Sequence, residues 1–380
     1  MKLENYVSQE NFKGWDPYDG LNSKLFQLLP FKKYRFCKLA WIQLFKRSSL
    51  NYRKVTGVPK EYNPKALGLF LSAECKNFER EKKSQSSERI DFLVKKILDL
   101  KSSGFSGSCW GYNFDWQARA FFQPEGTPTV VATSFIANAL LDVYDLFKDP
   151  KLLAEARSAC DFVLNDLNRT HLSDGTFCFS YSPLDKTQVY NASLLGSRLL
   201  ARVYSYTKEE ILRETAEGSV KYCVKAQEKD GSWAYGTLPF HQWVDNFHTG
   251  YNLECLTDYQ KYTGDTQFEG VIQKGLDYYL KNFFTEEGIP KYYNNKVYPI
   301  DIHAPAQLVA TLFKLGKLKE EKVLVERVLN WTVENMFDTS KGYFYFQKKK
   351  YFTSKIPYMR WAQAWMYYAL SFYLYEFREK

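Results

Sequence analysis

Residues 247–259, FHTGYNLECLTDY, decide the fold, because the same kind of segment recurs along the chain. Four other stretches read as a helix that is apolar almost all round and opens on a polar residue. They are TSFIANALLDVYD (133–145, opening on Ser134), YNASLLGSRLLARVY (190–204, Asn191), IHAPAQLVATLFKL (302–315, His303) and MRWAQAWMYYALSF (359–372, Arg360). With His248 as the third marker, successive separations are 57, 57, 55 and 57 residues. A fixed period of this length is the mark of a repeat architecture.

Each of the first four apolar helices is followed by a more charged one, over about 150–168, 208–228, 266–284 and 319–336, with apolar residues at three- and four-residue steps. The first member of each pair is expected to be buried and the second to keep one wet face, which predicts inner and outer layers of a ring. Each outer helix ends in a turn and an aromatic loop: DGTFCFSYSP from Asp174, DGSWAYG from Asp230, EGIPKYY from Glu287 and KGYFYFQ from Lys341. An earlier copy, WGYNFDW from Trp110, follows a predicted helix at about 88–102. Helices over 64–83 and 22–46 bring the count to twelve, or six hairpins. The expected fold is all-α, an (α/α)6 toroid over residues 63–380 preceded by an N-terminal segment, 1–62, whose basic amphipathic helix packs on it. Loops leading from outer to inner helices emerge on one end, so the aromatic loops and the polar opening residues are expected around one cup.

Of the 380 residues, 45% are hydrophobic and 25% charged, the balance of a folded chain with a large core. Aromatic residues reach 18%, and many Tyr and Trp fall in the loops, where they suit stacking on a flat ligand as well as packing. The seven cysteines (37, 75, 109, 160, 178, 223, 255) are scattered and never in CxxC spacing, which predicts reduced thiols in the cytoplasm. No secretory signal is expected from residues 1–20, and the longest apolar run, 364–375, is too short to span a bilayer. The net charge of +9 is concentrated: residues 20–60 hold ten Lys or Arg and no acid. There Phe36, Leu39, Trp41, Ile42, Leu44 and Phe45 interleave with Lys32, Lys33, Arg35, Lys38, Lys46 and Arg47. Two readings stand, a helix resting peripherally on the inner membrane face and a helix packed on the ring with solvated charges. A nucleic-acid partner is not expected, since the rest of the chain offers no basic stripe.

The repeat pattern resembles the α/α-toroid superfamily, whose members include six-hairpin glycosidases, glycan lyases, sugar 2-epimerases, glucuronyl C5-epimerase domains, triterpene cyclases and prenyltransferases. QEKDGSW (227–233) matches the Q-x3-G-x-W repeat of the cyclases, where it staples helices, so it speaks for the fold. The DxDD and DDxxD signatures of terpene chemistry are absent from the sequence, which leaves a lipid cyclase as a minor alternative. The phrases NPKALGLFL, GYNFDWQAR, DNFHTGYNL and YPIDIHAPAQ are similar to those of a bacterial epimerase-like family of surface-polysaccharide gene clusters. That resemblance implies modification of a sugar or glycan.

His248 and His303 share one phase of neighbouring repeats, each with an acid upstream, Asp245 and Asp301. A sugar ring held between two imidazoles could lose and regain a proton beside a carbonyl or carboxylate, the step common to epimerases and lyases. Histidines that only cap helix starts would look the same. Arg119 and Arg360 are expected to bind a substrate carboxylate; for Arg119 the alternative is an ion pair with Asp115. Asn113, Asp115, Tyr181, Asn191, Trp233, Tyr235, Tyr251, Asn252, Tyr292, Gln307, Tyr358 and Trp361 complete the expected sugar-binding set. Asp115, Asp245 and Asp301 also permit a glycoside hydrolase with paired carboxyls. No Walker loop, GxGxxG, HExxH or GxSxG occurs, and neither cofactor nor metal is expected. The substrate is expected to be an anionic glycan or small sugar. A glycan-binding scaffold without activity is the remaining class.

Overall fold

The structure, a computed structural model, describes residues 2–378. Four helices lead the chain: α1 (Lys2–Gln9), α2 (Lys24–Leu28), α3 (Arg35–Arg47) and α4 (Arg53–Thr56). From there inner and outer helices alternate. The pairs are α5 (Pro64–Glu81) with α6 (Ser84–Asp99), α7 (Val130–Phe147) with α8 (Pro150–Asn165), and α9 (Tyr190–Thr207) with α10 (Glu210–Val224). Then come α11 (Asn246–Thr263) with α12 (Glu269–Phe283) and α13 (His303–Lys314) with α14 (Lys322–Met336). The last inner helix opens as a π-helical turn, Met359–Ala364, and continues as α15 (Trp365–Glu376). Each inner helix packs on the next and α15 returns to α5, so the ring is closed and the (α/α)6-toroid expectation holds.

Burial explains the layering. α7 is buried along most of its length, whereas α8 buries only Leu152, Ala156, Ala159, Cys160, Phe162 and Val163. α7 is the one helix among the described residues long and apolar enough to cross a membrane, and 72% of it is buried inside the ring. Inner helices begin on side-chain caps that satisfy free backbone N–H groups: Asn63 for α5, Thr129 for α7 and Asp245 for α11. The lumen beside the C-terminal halves of the inner helices is filled by a buried ionic network, in which Arg198 pairs with Asp258 at 2.7 Å and Arg202 with Asp142 at 2.8 Å. All seven cysteines are free thiols.

Two expectations change. Residues 22–46 do not form one helix of the ring, because Pro30 and the extended Leu29 before it break the run into α2 and α3. Part of the sixth outer place is taken by α1 instead. Its Leu3 and Val7 enter the main core, Glu4 pairs with Arg89 of α6 at 2.6 Å, and Tyr6 packs on Tyr343 in the loop after α14. The opening residue of α7 also shifts: α7 starts at Val130, so Ser134 lies one turn inside the helix, buried, with Val131 at the rim.

The QEKDGSW loop acts as a staple. Gln227 Nε2 donates to Gly231 O at 3.2 Å and to Val271 O of α12 at 2.9 Å, and Trp233 Nε1 donates to Cys223 O at 3.2 Å. Gly231 has φ +97°, and a Cβ there would lie 2.3 Å from Lys274 O, so only glycine fits the turn.

Candidate active site

A cavity of about 400 Å³ opens where the N-terminal ends of the six inner helices converge. Those ends supply Lys65, Val131, Asn191, His248, His303 and Arg360 to its wall. Four aromatic loops contribute Tyr112 and Trp116, Tyr181, Tyr235, and Tyr292 with Tyr293; the fifth, 341–347, contributes no lining residue. Leu39, Ile42, Gln43 and Lys46 of α3 form a further wall, so the basic N-terminal segment lies across the cup. Among the described residues lining the cavity there is no Asp or Glu, against four cationic side chains, Lys46, Lys65, Arg119 and Arg360.

His248 is the best-positioned acid-base group. Asp245 Oδ1 accepts the His248 backbone N–H at 2.9 Å, while Asp245 Oδ2 lies 2.7 Å from Nδ1 and takes a second hydrogen bond from Trp243 Nε1 at 2.9 Å. This arrangement assigns the Nδ1 proton to the carboxylate side and leaves Nε2 to a bound molecule. Tyr235 and Phe247 flank the ring, with centroids at 4.5 and 4.2 Å.

His303 is different. It is fully buried and stacked on Phe247 at 4.4 Å with 6° between planes, and its Nε2 lies 3.2 Å from Tyr251 Oη. Burial, then the nearby Lys65, His248 and Arg360 charges, hold its pKa well below the ordinary histidine value, so it is neutral at pH 7. The expected sugar slot between the two imidazoles is filled, because the Phe247 ring touches both. Asp301 stands outside the cavity wall and serves three donors: His303 N at 3.0 Å, Trp361 Nε1 at 2.8 Å and Gln347 Nε2 at 3.0 Å. Burial raises its pKa to about 6 in spite of those bonds.

Arg360 reaches the wall already paired. Asp16 receives its Nε at 2.5 Å and Nη2 at 2.9 Å, and although burial works against the charge, that carboxylate keeps Arg360 above its ordinary range. A free carboxylate clamp at Arg360 is therefore not what the structure shows. Arg119 fits that role better: it lines the cavity, is exposed and forms no ion pair among the described residues, while Asp115 instead accepts Glu125 N at 2.8 Å.

Tyr181, Asn191, Tyr235, Tyr251, Tyr292 and Trp361 line the cavity as expected positions on its wall. Six expected binders do not, Asp115 among them. Trp233 is buried in the staple against Gly275. Tyr358 lies under the Arg53 guanidinium at 4.6 Å. Asn113 ties loops together through Asn22 and Asn63. Asn252 and Gln307 are buried farther along the inner helices, and Gln307 is bound to Glu254 and Thr311.

The residue not anticipated is Lys65. It is buried with no acidic partner among the described residues, and its Nζ lies 3.4 Å from Tyr251 Oη and 4.3 Å from the centre of the Phe135 ring. Burial, reinforced by the Arg360 charge, pushes its pKa well below the usual lysine range. Lys65, Tyr251 and His303 thus form a continuous polar chain inside an aromatic shell. The available signal was a lysine in the first turn of the apolar NPKALGLFL helix, the same helical position that carries histidine or arginine in other repeats. His241 and Lys46 were likewise not anticipated. Among the described residues no cluster of three or more His, Cys, Asp or Glu side chains has the arrangement to hold a metal.

No family model and no curated protein matches the sequence. Solved structures do match in fold. The cellobiose 2-epimerase of Bacillus thermoamylovorans B4167 superposes with a TM-score of 0.62 at 13% identity, covering 82% of this chain and 87% of its own. A GH76 α-mannanase of Bacteroides thetaiotaomicron gives 0.63 at 13% identity, over 83% and 88%. The unsaturated glucuronyl hydrolase of Bacillus sp. GL1, responsible for the degradation of glycosaminoglycan, gives 0.61 at 11% identity, over 99% and 94%. The chain therefore has the α/α-toroid fold that these carbohydrate-active enzymes share.

Proposed function

We propose that the protein is a carbohydrate-active enzyme that abstracts a proton from a carbon of an anionic sugar, and then either returns a proton there, as an epimerase of a uronate or amino sugar, or expels a β-substituent, as the related lyase. The observation that carries this reading is the Asp245–His248 dyad at a cavity with several cations and no carboxylate on its wall. His248 takes the proton through Nε2, and the electron pair moves onto the adjacent carbonyl or carboxylate oxygen. Arg119 and the positive N-terminal ends of the inner helices stabilise that oxygen's charge. Tyr251, whose hydroxyl lies between Lys65 and His303, is the second proton-bearing group on the wall and returns a proton to complete epimerisation. If a β-substituent leaves first, the same intermediate gives an unsaturated sugar. Hydrolysis by paired acids is less well supported, since Asp115, Asp245 and Asp301 all lie off the cavity wall.

An adjoining groove of about 480 Å³ carries Arg35, Arg119 and Lys186, with the Asp185 carboxylate already bound to Ser182 and Thr187. It suits a second anionic group, which favours an oligosaccharide or an activated sugar over a free monosaccharide. We also propose a role in making a surface polysaccharide inside the cell, supported by the similarity of NPKALGLFL, GYNFDWQAR, DNFHTGYNL and YPIDIHAPAQ to an epimerase-like family of such gene clusters. Incubation with uronate- and hexosamine-containing glycans in deuterated water tests it. The epimerase is expected to leave deuterium at a ring carbon of the product and the lyase to give an unsaturated sugar that absorbs in the ultraviolet; product with neither, or a new reducing end without unsaturation, overturns it.

A further inference from the structure

We infer that the α2–α3 segment is a docking surface for an anionic lipid bilayer, set beside the mouth of the cavity. The first observation is where apolar side chains remain uncovered. Of the nineteen large hydrophobic residues exposed among the described residues, eight lie within residues 25–55. Leu28 is 83% exposed, Phe36 80% and Leu50 63%. Scattered exposed side chains need no explanation, but a concentration on one segment marks an interaction site.

The second observation is that α3 is apolar on two opposite faces. Ile42 and Phe45 are buried, and Trp41 joins Phe26 in a small core of its own. On the other side Phe36, Ala40, Leu44 and Arg47 are exposed at steps of four, four and three residues, which is one helical stripe. Packing on the ring therefore accounts for only one face. Leu25 and Leu28 of the neighbouring α2 are exposed as well, while Phe26 is buried.

The third observation selects the partner. Residues 20–60 carry ten basic residues and no acid. Lys24, Lys33, Arg35, Arg47 and Lys54 of this segment are exposed, as expected for an apolar patch rimmed by cations. Apolar side chains reaching the acyl boundary with Lys and Arg at the level of acidic headgroups is the composition of an interfacial helix. A protein partner or a second copy would need acids to neutralise this surface, and the segment itself has none to offer a copy. Because Leu39, Ile42, Gln43 and Lys46 of α3 line the cavity, docking would bring the cavity mouth to the headgroup layer. This inference does not depend on the sugar chemistry proposed above.

The test is sedimentation of the full chain with phosphatidylcholine vesicles, with and without phosphatidylglycerol, at moderate salt. The expected result is binding to the anionic vesicles that weakens with added salt. Leu28→Asp/Phe36→Asp/Leu44→Asp and Lys32→Glu/Lys33→Glu should each lower partitioning by roughly tenfold or more. None of these five side chains lines the cavity, and circular dichroism checks that the variants fold. Phe36→Trp provides a second readout, whose emission should shift to the blue on anionic vesicles. The inference fails if the folded chain stays in the supernatant with anionic vesicles, or if the Phe36→Trp emission does not move. It fails equally if the triple apolar variant only dissolves a dimer of a chain that ignores vesicles.

Discussion

Asp245 caps the helix that carries His248 with one carboxylate oxygen and lies 2.7 Å from that histidine's Nδ1 with the other. One side chain thus fixes both where α11 begins and which imidazole nitrogen faces a substrate. The two duties can be separated. Asparagine caps a helix about as well as aspartate but cannot hold an imidazolium or enforce the same tautomer. Asp245→Asn is expected to leave thermal stability nearly unchanged while lowering turnover by roughly a hundred- to ten-thousand-fold. His248→Ala should abolish turnover. Proton exchange in deuterated water together with a melting curve checks both. Activity retained in Asp245→Asn would mean that the dyad is only a cap.

Lys65 connects stability to pH. Its folded pKa lies well below the ordinary lysine value, so at neutral pH the unfolded chain binds a proton more readily than the folded one. Stability contributed by this group therefore rises with pH and levels off above the unfolded value of about 10.4. Lys65→Met is expected to stabilise the fold near pH 7, with the gain shrinking as the pH approaches 10. The same variant should lose turnover, because it removes the group beside Tyr251. Urea denaturation of both proteins at several pH values gives the first result and the exchange assay the second. A methionine variant less stable at pH 7 would show that the ammonium has a partner.

The ring was legible in the sequence because its cause is local: an apolar helix, a charged helix and an aromatic turn repeat at a nearly constant interval. The site was legible only in part, since phase along a helix is not direction into a cavity. His248, His303 and Asn191 share a phase and do meet there, yet Phe247 fills the gap between the two histidines. Ser134 keeps the spacing and misses the cup by one turn, because α7 starts earlier relative to its repeat. Trp233 and Tyr358 stand in loops of the right kind and turn inward. Asp16, which occupies Arg360, comes from more than three hundred residues away, and no local pattern announces such a pair.

The Arg360–Asp16 pair gives a third expectation. Both side chains are almost completely buried, with two hydrogen bonds at 2.5 and 2.9 Å. Removing one partner leaves the other charge buried and unpaired, at a cost of about 3–5 kcal/mol. Asp16→Ala should cost about that much, and Asp16→Ala/Arg360→Met considerably less than the two single changes added together. A double-mutant cycle by chemical denaturation measures the difference. Simple additivity would place the stability of this corner in the surrounding aromatic rings instead.

Three inner helices end on the same device. Lys82, Lys148 and Lys208 each adopt a left-handed conformation, with φ of 54°, 57° and 59°, where α11 uses Gly264 at 78°. A side chain in that region is strained by roughly 1–2 kcal/mol, so glycine is the usual choice. Each lysine, however, folds its ammonium over the ring four residues earlier: Phe78 at 5.1 Å, Tyr144 at 5.1 Å and Tyr204 at 5.4 Å. A cation there also meets the negative end of the helix, and the two effects together offset much of the strain. Lys148→Ala keeps the strain and loses both attractions, so it is expected to destabilise the fold by about 1 kcal/mol. Lys148→Gly trades the attractions for relief of the strain and should be close to neutral. Lys82→Ala/Lys148→Ala should show about twice the effect of either change, since the sites end separate helices. Thermal melts at low and high salt check the series, because the alanine penalty should shrink as salt screens the helix end, whereas a steric origin would leave it constant.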